Sequence, residues 1–217
     1  MMPINWRGSR LADSEMIVLM QEGVPLAWVP PADVIQQLLT ADDPASRAQV
    51  IDSCRPMILA SCEAALASVT DTRFSAQKAP LEECVRMAEY GMFSGAQALA
   101  ANAWDTLIRG LAFANPGWLK PSGQWPGYPK VLENIPAVGD DDPTIRQFRE
   151  EAFLPFPRAL EAFWPPAPVP QNFNRHATAH AAATAQYTPV NAVTAVMLAV
   201  SVLRDINDMG YPIQMHA

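Results

Sequence analysis

Apolar residues recur at intervals of three and four over a long central stretch of the chain, a spacing that places them on one face of an α-helix. A proline followed by an acidic first turn, Pro80-Leu81-Glu82-Glu83, is typical of a helix start. We therefore predict a helix over residues 80–113, with Gly91 and Gly95 as its weak points. Its predicted buried face consists of Val85, Ala88, Met92, Ala96, Leu99, Ala103, Leu107 and Leu111.

Two further helices are predicted before this stretch. One covers about residues 32–40. The other begins at Asp42 or Asp43, because an aspartate before Pro44 can cap a helix, and it continues to about residue 69. Pro56 lies inside this second helix and predicts a kink or a break, since proline lacks the N–H that an interior helical position donates.

The C-terminal third of the chain alternates between helical and proline-rich segments. We predict a helix from about residue 142 to 164, then a stiff extended linker over residues 165–170. Thr188 followed by a proline is a helix start, so the final apolar helix is predicted to run to about residue 209 and to end at Gly210.

Residues 115–142 contain too many prolines and glycines for a regular element. Their aromatic residues, Trp118, Trp125 and Tyr128, are expected to pack over the helices more than to stack on nucleic-acid bases, because only two lysines and no arginine accompany them.

The whole pattern predicts an all-α fold: a helical bundle with a long antiparallel helix pair, a Pro/Trp-rich loop insertion at 115–142 and an apolar C-terminal helix. Residues 31–217 are assigned to a single domain, and residues 1–30 to an N-terminal extension. A short apolar run at 16–20 in that extension fits either a helical turn or an edge strand.

Composition restricts the function further. Of the 217 residues 50% are hydrophobic, and the formal net charge is −7, which argues against a broad basic surface for nucleic acid. The three cysteines form no CxxC pair, as expected of buried thiols in a reducing cytoplasm. The apolar run 192–203 is too short to cross a bilayer and predicts a buried core helix, and no secretory leader is recognised.

One heptapeptide carries the residues suited to chemistry, Asn174-Arg175-His176-Ala177-Thr178-Ala179-His180. It contains two of the three histidines, and the third, His216, is the penultimate residue. Arginine binds phosphate and histidine transfers protons near neutral pH, so this segment is the candidate site.

The string from Phe173 to His180, followed by a short spacer ending in Tyr187-Thr188 and an alanine- and leucine-rich helix, resembles the R-x4-6-H motif of the HEPN superfamily. The resemblance covers about residues 170–208. It implies a metal-independent bacterial endoribonuclease, or an RNA-binding derivative of one, that acts as a homodimer without a cofactor. It also implies a toxin–antitoxin or phage-defence setting, in which an antitoxin or other protein partner is expected.

Carried over residue by residue, the resemblance implies that Arg175 holds and polarises the scissile phosphate through its forked guanidinium. His180 would be the general base or acid, and His176 would orient the phosphate or assist proton transfer. Asn174 would add a hydrogen bond to the substrate, although the motif does not require it.

Helical geometry complicates this assignment. Five residues turn through about 500°, so Arg175 and His180 would lie roughly 140° apart around an ideal helix. The ribonuclease hypothesis therefore needs either a partly unwound motif or a second protomer. His176 and His180, four residues apart, share one face.

Two alternatives follow from the same residues. The two histidines have the HxxxH spacing of a metal site, but no third ligand is adjacent. Arg175 could instead be structural, paired with an acid such as Asp105 or Glu63, with the histidines bridging helices. In that case the protein would be a noncatalytic helical module that binds a protein partner.

Overall fold

The computed structural model describes residues 3–7, 13–134 and 151–214. These ranges contain α-helices and short 3-10 turns and no β-strand, which confirms the predicted all-α helical bundle. The helices are α1 Asp13–Gln21, α2 Ala32–Thr40, α3 Pro44–Ser53, α4 Arg55–Ala67, α5 Ser75–Glu89, α6 Phe93–Ala114, α7 Tyr128–Asn134, α8 Phe156–Ala159, α9 Arg175–His180 and α10 Pro189–Met209. The 3-10 turns are Ile4–Trp6, Thr72–Phe74, Pro116–Trp118 and Glu151–Phe153.

Helix α10 is the centre of the bundle and packs against α3, α4, α5 and α6. Every residue from Asn191 to Leu203 is buried, which is the pattern of a helix covered on all sides. By length and composition alone α10 would also qualify as a membrane span, but 83% of its apolar window is buried inside the protein. Both predicted ends are confirmed: the Thr188 hydroxyl accepts the backbone N–H of Asn191 at 3.1 Å, and Gly210 closes the helix at φ 65°.

The prediction of one long helix over residues 80–113 is wrong, because the chain reverses direction between α5 and α6. Gly91, one of the predicted weak points, lies in this turn at φ +76°, a backbone conformation that glycine adopts without steric cost. The two helices pack side by side across a three-residue connection, which makes them the predicted antiparallel pair. Pro80 lies inside α5, because Asp71 accepts the N–H of Arg73 and starts the helical turn well before the proline.

The predicted interruption at Pro56 is confirmed. Helix α3 ends at Ser53 and α4 begins at Arg55, with Cys54 between them. Asp43 caps α3 by accepting the backbone N–H of Ser46 at 2.8 Å.

Two predictions for the middle of the chain need correction. The segment predicted to be irregular includes helix α7, while its residues after 134 lie outside the described ranges. The helix predicted over 142–164 is not continuous in its described part, where a 3-10 turn and the four-residue α8 precede an irregular stretch. Pro155 and Pro157 each remove a backbone N–H there.

The described part of residues 1–30 packs into the same core as the bundle. The apolar run at 16–20, left open between helix and strand, belongs to α1, and its Leu19 and Met20 are buried. Further along, the indole N–H of Trp28 donates to Asp205 of α10 at 2.9 Å.

Candidate functional site

The Arg-His segment forms the six-residue helix α9, and Asn174 caps its start. The Asn174 side-chain oxygen accepts the backbone N–H of Ala177 at 2.8 Å, and its amide nitrogen donates to the carbonyl oxygen of Glu161, also at 2.8 Å. Asn174 is only 1% exposed. It therefore positions the helix and is not accessible to a substrate, in contrast to the contact expected from sequence.

A buried amide network attaches this segment to the bundle. Gln186, fully buried, accepts the backbone N–H of Asn174 at 2.9 Å and donates to the carbonyl oxygen of Asn172 at 3.1 Å. Gln97 of α6 donates to the hydroxyl of Thr178 at 2.9 Å and to Gln186 at 3.2 Å. Because the buried Gln186 amide is bonded through both its oxygen and its nitrogen, it adopts one conformation, and with the two bonds from Gln97 it holds α9 in a defined orientation against α6.

Arg175 is paired with Asp105 of α6, one of the two acids considered from sequence. Its terminal nitrogen lies 3.2 Å from the Asp105 carboxylate, and the other candidate, Glu63, is exposed on α4. The same carboxylate accepts the Nε–H of Arg109 at 2.9 Å and the hydroxyl of Tyr128. Asp105 is 6% exposed, so a nearly buried charge holds two arginines side by side.

The two arginines lie against aromatic residues of the Pro/Trp-rich segment. The guanidinium of Arg109 is 4.4 Å from the ring centre of Trp125, and that of Arg175 is 5.5 Å from the ring of Tyr128. Burial, followed by the hydrogen bond to Asp105, raises the pKa of Tyr128 to about 12, so the phenol remains a proton donor at neutral pH. The expected packing of these aromatics is confirmed for Tyr128, which is buried, while Trp125 is half-buried.

The two histidines lie together, as their four-residue spacing predicts. The His176 and His180 ring centres are 6.4 Å apart, and the His176 and Tyr128 rings lie nearly perpendicular to each other with centres 5.3 Å apart. Trp164 contacts both imidazoles, at 6.2 Å from His176 and 6.4 Å from His180, and its ring is within 17° of parallel to that of His180. We call this row of side chains, from Arg175 through Tyr128, His176 and Trp164 to His180, the Arg-His row.

The surroundings of His176 favour its neutral form. Burial, then the positive charge of Arg175 and the neighbouring His180, lowers its pKa below the usual value. Its Nδ1 is buried and has no hydrogen-bond partner among the described residues. An unpaired buried N–H costs more than an unpaired nitrogen lone pair, so the proton is expected on Nε2.

The Arg-His row combines groups that bind an anion with groups that transfer protons. Arg175 lies at one end and exposed His180 at the other, with His176 between them. The Asp105 bond occupies one of the five N–H donors of a guanidinium, so Arg175 retains donors for a second anionic ligand. Two arginines and one aspartate leave the Arg175 end with a net positive charge.

Other reactive groups are located elsewhere. The three cysteines are buried, and burial raises the pKa of the Cys62 and Cys84 thiols, which makes both unreactive. Within the part of the chain that the structure describes, no three His, Cys, Asp or Glu side chains are grouped to hold a metal ion.

A cavity of about 820 Å³ shares Asn172 and Phe173 with the segment that leads into α9. Its charged lining residues are Arg47 and Glu22, which are paired with each other, and Arg158. Its lining has no histidine or cysteine, and its one carboxylate is held by Arg47, so the two imidazoles suited to proton transfer belong to the Arg-His row.

Sequence reasoning did not assign Arg109, Tyr128 or Trp164 to the candidate site. Arg109 follows Asp105 by four residues on α6, and that acid-to-arginine spacing was an available signal. Tyr128 was expected only to pack over the helices, and Trp164 lies at the end of a segment predicted to be helical, so neither had a signal that linked it to α9. Comparisons with protein-family models, curated proteins and solved structures find no match to this chain.

Proposed function

We propose that this protein is a HEPN-like, metal-independent endoribonuclease whose site is the Arg-His row. The observation that carries the proposal is the contiguity of the row: a guanidinium with donors to spare, a neutral imidazole and an exposed imidazole follow one another on α9. These three groups meet the needs of phosphodiester cleavage through the 2′-hydroxyl, which are charge stabilisation on the phosphate and a proton acceptor.

In this mechanism Arg175 binds a nonbridging phosphate oxygen while Asp105 and Tyr128 fix its guanidinium. His176, neutral and protonated on Nε2, donates a second hydrogen bond to the phosphate. Both interactions strengthen as negative charge accumulates on the phosphorane oxygens, so they favour the transition state over bound RNA.

His180 accepts the proton of the 2′-hydroxyl while that oxygen forms its bond to phosphorus. The bond between phosphorus and the 5′-oxygen breaks, and water protonates the leaving oxygen. The products are a 2′,3′-cyclic phosphate and a 5′-hydroxyl, with no change of oxidation state and no metal ion.

A homodimer is part of the proposal, because Arg175 and His180 occupy opposite ends of the row. A two-fold packing of α9 against its copy would bring His180 of one protomer toward Arg175 of the other. Sedimentation velocity is expected to report a dimer, and a strict monomer that still cleaves RNA would contradict this part of the mechanism.

The test is cleavage of single-stranded RNA in the presence of EDTA. Wild type is expected to yield cyclic-phosphate ends and to leave 2′-fluoro RNA intact, since that substrate lacks the attacking hydroxyl. His180→Ala is expected to lower kcat by roughly 10²-fold or more, the usual contribution of a general base. Arg175→Ala is expected to lower kcat as well.

Arg73→Ala is the matched control, because Arg73 is an exposed arginine paired with an aspartate, Asp71, on another part of the surface. It is expected to cleave as wild type does. Activity that survives His180→Ala, or that disappears with EDTA, would overturn the assignment.

The Asp105–Arg175 ion pair supports a second candidate, a noncatalytic helical module in which Arg175 is structural. It predicts that RNA is neither bound nor cleaved and that Arg175→Ala lowers the free energy of unfolding. The cleavage assay with a denaturation curve for each variant separates the two candidates.

A further inference from the structure

Trp164 is a large aromatic side chain left in solvent beside the two histidines. It is 66% exposed, although tryptophan is usually well covered. Its ring contacts His176 and His180, and it lies almost parallel to the ring of His180.

This exposure does not come from a loose chain. The preceding residue, Phe163, is buried in the protein, and the carbonyl oxygen of Glu161 accepts the side-chain amide of Asn174. On the other side, the carbonyl oxygen of Trp164 accepts the N–H of Ala167 at 3.1 Å. The indole is therefore presented on a fixed backbone, so a ligand that stacks on it loses little conformational entropy from the protein.

The other side chains of the Arg-His row indicate what Trp164 binds. Its ring contacts His176 and His180, and Arg175, which retains guanidinium donors, adjoins His176 on α9. A phosphate bound along this row would be joined through its sugar to a flat aromatic base next to the indole. Exposed aromatic rings beside cationic side chains are the usual elements of single-strand recognition, because every base has a face that stacks. A base held in a duplex offers no such face.

We propose that Trp164 is a stacking platform for one unpaired nucleobase next to the scissile phosphate. The site thus selects RNA in which this nucleotide is unpaired, such as a loop, bulge or single strand, and it requires the base as well as the backbone. This inference rests on the proposed ribonuclease function and adds to it a specificity-determining residue.

The test compares two noncleavable oligomers of equal length and charge. One is a single-stranded 2′-fluoro RNA with bases of mixed sequence, and the other carries the same phosphates on abasic sugars. Because neither is cleaved, affinity is measured apart from catalysis. Wild type is expected to prefer the base-bearing oligomer by about tenfold or more, which is the effect of one stacked base.

Trp164→Ala is expected to lose about tenfold in affinity for the base-bearing oligomer and to bind the abasic oligomer as wild type does. Trp164→Phe is expected to retain part of the preference, because phenylalanine keeps an aromatic face. Tyr90→Ala removes another exposed aromatic residue, 80% exposed near the turn between α5 and α6, and is expected to change neither affinity.

The outcomes distinguish the two proposals. Equal loss on both oligomers, or no loss on either, would overturn the stacking platform while leaving the ribonuclease intact. Failure of wild type to bind either oligomer or to cleave RNA would overturn both. Loss of the dimer in Trp164→Ala, with unchanged affinity for the oligomers, would assign Trp164 to a protein interface and refute a base-stacking role.

Discussion

Replacing Asp105 by asparagine tests the centre of the candidate site. The Asp105 carboxylate accepts hydrogen bonds from Arg109, Arg175 and Tyr128 and is almost completely buried. Asparagine has nearly the same shape, so the substitution removes the negative charge without opening a cavity. The two guanidinium groups then lie side by side without their shared counter-ion.

The structure sets the size of the effect. A hydrogen bond to a charged group contributes about 1.5–3 kcal/mol and a neutral one about 0.5–1.5. With the amide oxygen in the place of the carboxylate oxygen that both arginines contact, each of those two bonds weakens by about 1 kcal/mol. The amide NH2 then takes the other position, where it cannot accept from the Tyr128 hydroxyl and can only donate to its oxygen. Solvent screens part of this loss, because the side chain of Arg109 is 37% exposed. We expect Asp105→Asn to lower the free energy of unfolding by about 2 kcal/mol, which for a chain of this size lowers Tm by roughly 4–8 °C.

Urea denaturation and calorimetry at pH 7 measure this directly. Asp52→Asn is the control, because Asp52 pairs with Arg55 at 2.7 Å but its side chain is 54% exposed, so its loss is expected to cost less than about 0.5 kcal/mol. A change for Asp105→Asn no larger than that of the control would refute the view that this carboxylate organises the site.

Three further predictions concern buried polar groups. Because folding lowers the pKa of His176 below 6.5, its neutral form stabilises the fold at higher pH, and that stability is lost as pH falls. In urea denaturation at a series of pH values, the free energy of unfolding should therefore fall less steeply toward acid pH in His176→Gln than in wild type. Burial raises the pKa of Asp205 from 3.8 to about 7, so the free energy of unfolding of wild type falls as pH rises between these values. Asp205→Asn should therefore be more stable than wild type at pH 8, and the difference in stability should vanish near pH 4. An equal difference at both pH values would contradict the raised pKa. Gln186→Leu should lower the free energy of unfolding by about 3 kcal/mol and expose the segment before α9 to protease, because several buried partners lose their hydrogen bonds. Proteolysis at the wild-type rate would show that Gln186 does not hold this segment in place.

The parts of the fold that local sequence could predict were those with strong local signals. Thr188-Pro189 and Gly210 bound α10 as expected, and Pro56 separates two helices as expected. The prediction over 80–113 was wrong because α5 and α6 have compatible apolar spacing on both sides of the turn at Gly91. The three- and four-residue spacing of apolar positions continues through such a turn, so the turn is visible only in the packing of the two helices against each other.

The candidate site was predictable only in part for a related reason. Arg175, His176 and His180 are adjacent in sequence, and the alternative that Arg175 pairs with Asp105 was open from the start. Trp164 comes from a stretch joined to α9 by proline-rich chain, and its contact with both imidazoles depends on how that chain folds. Contacts between distant segments produce no periodic pattern in the sequence, so the sequence does not identify the loop aromatic residues that complete a site.

Asp105 also explains why the ion pair alone does not decide between an RNA site and a structural arginine. The carboxylate fixes the orientation of Arg175, which lowers the entropy cost of binding a phosphate, and at the same time it cancels part of the positive charge that attracts one. In an RNA site, removing its charge leaves two unneutralised arginines, so Asp105→Asn should bind noncleavable RNA more tightly even as its fold weakens. In a noncatalytic module the same substitution should lower stability and leave RNA affinity absent. A lower free energy of unfolding together with a higher RNA affinity in one variant is expected only if Arg175 is available to a phosphate.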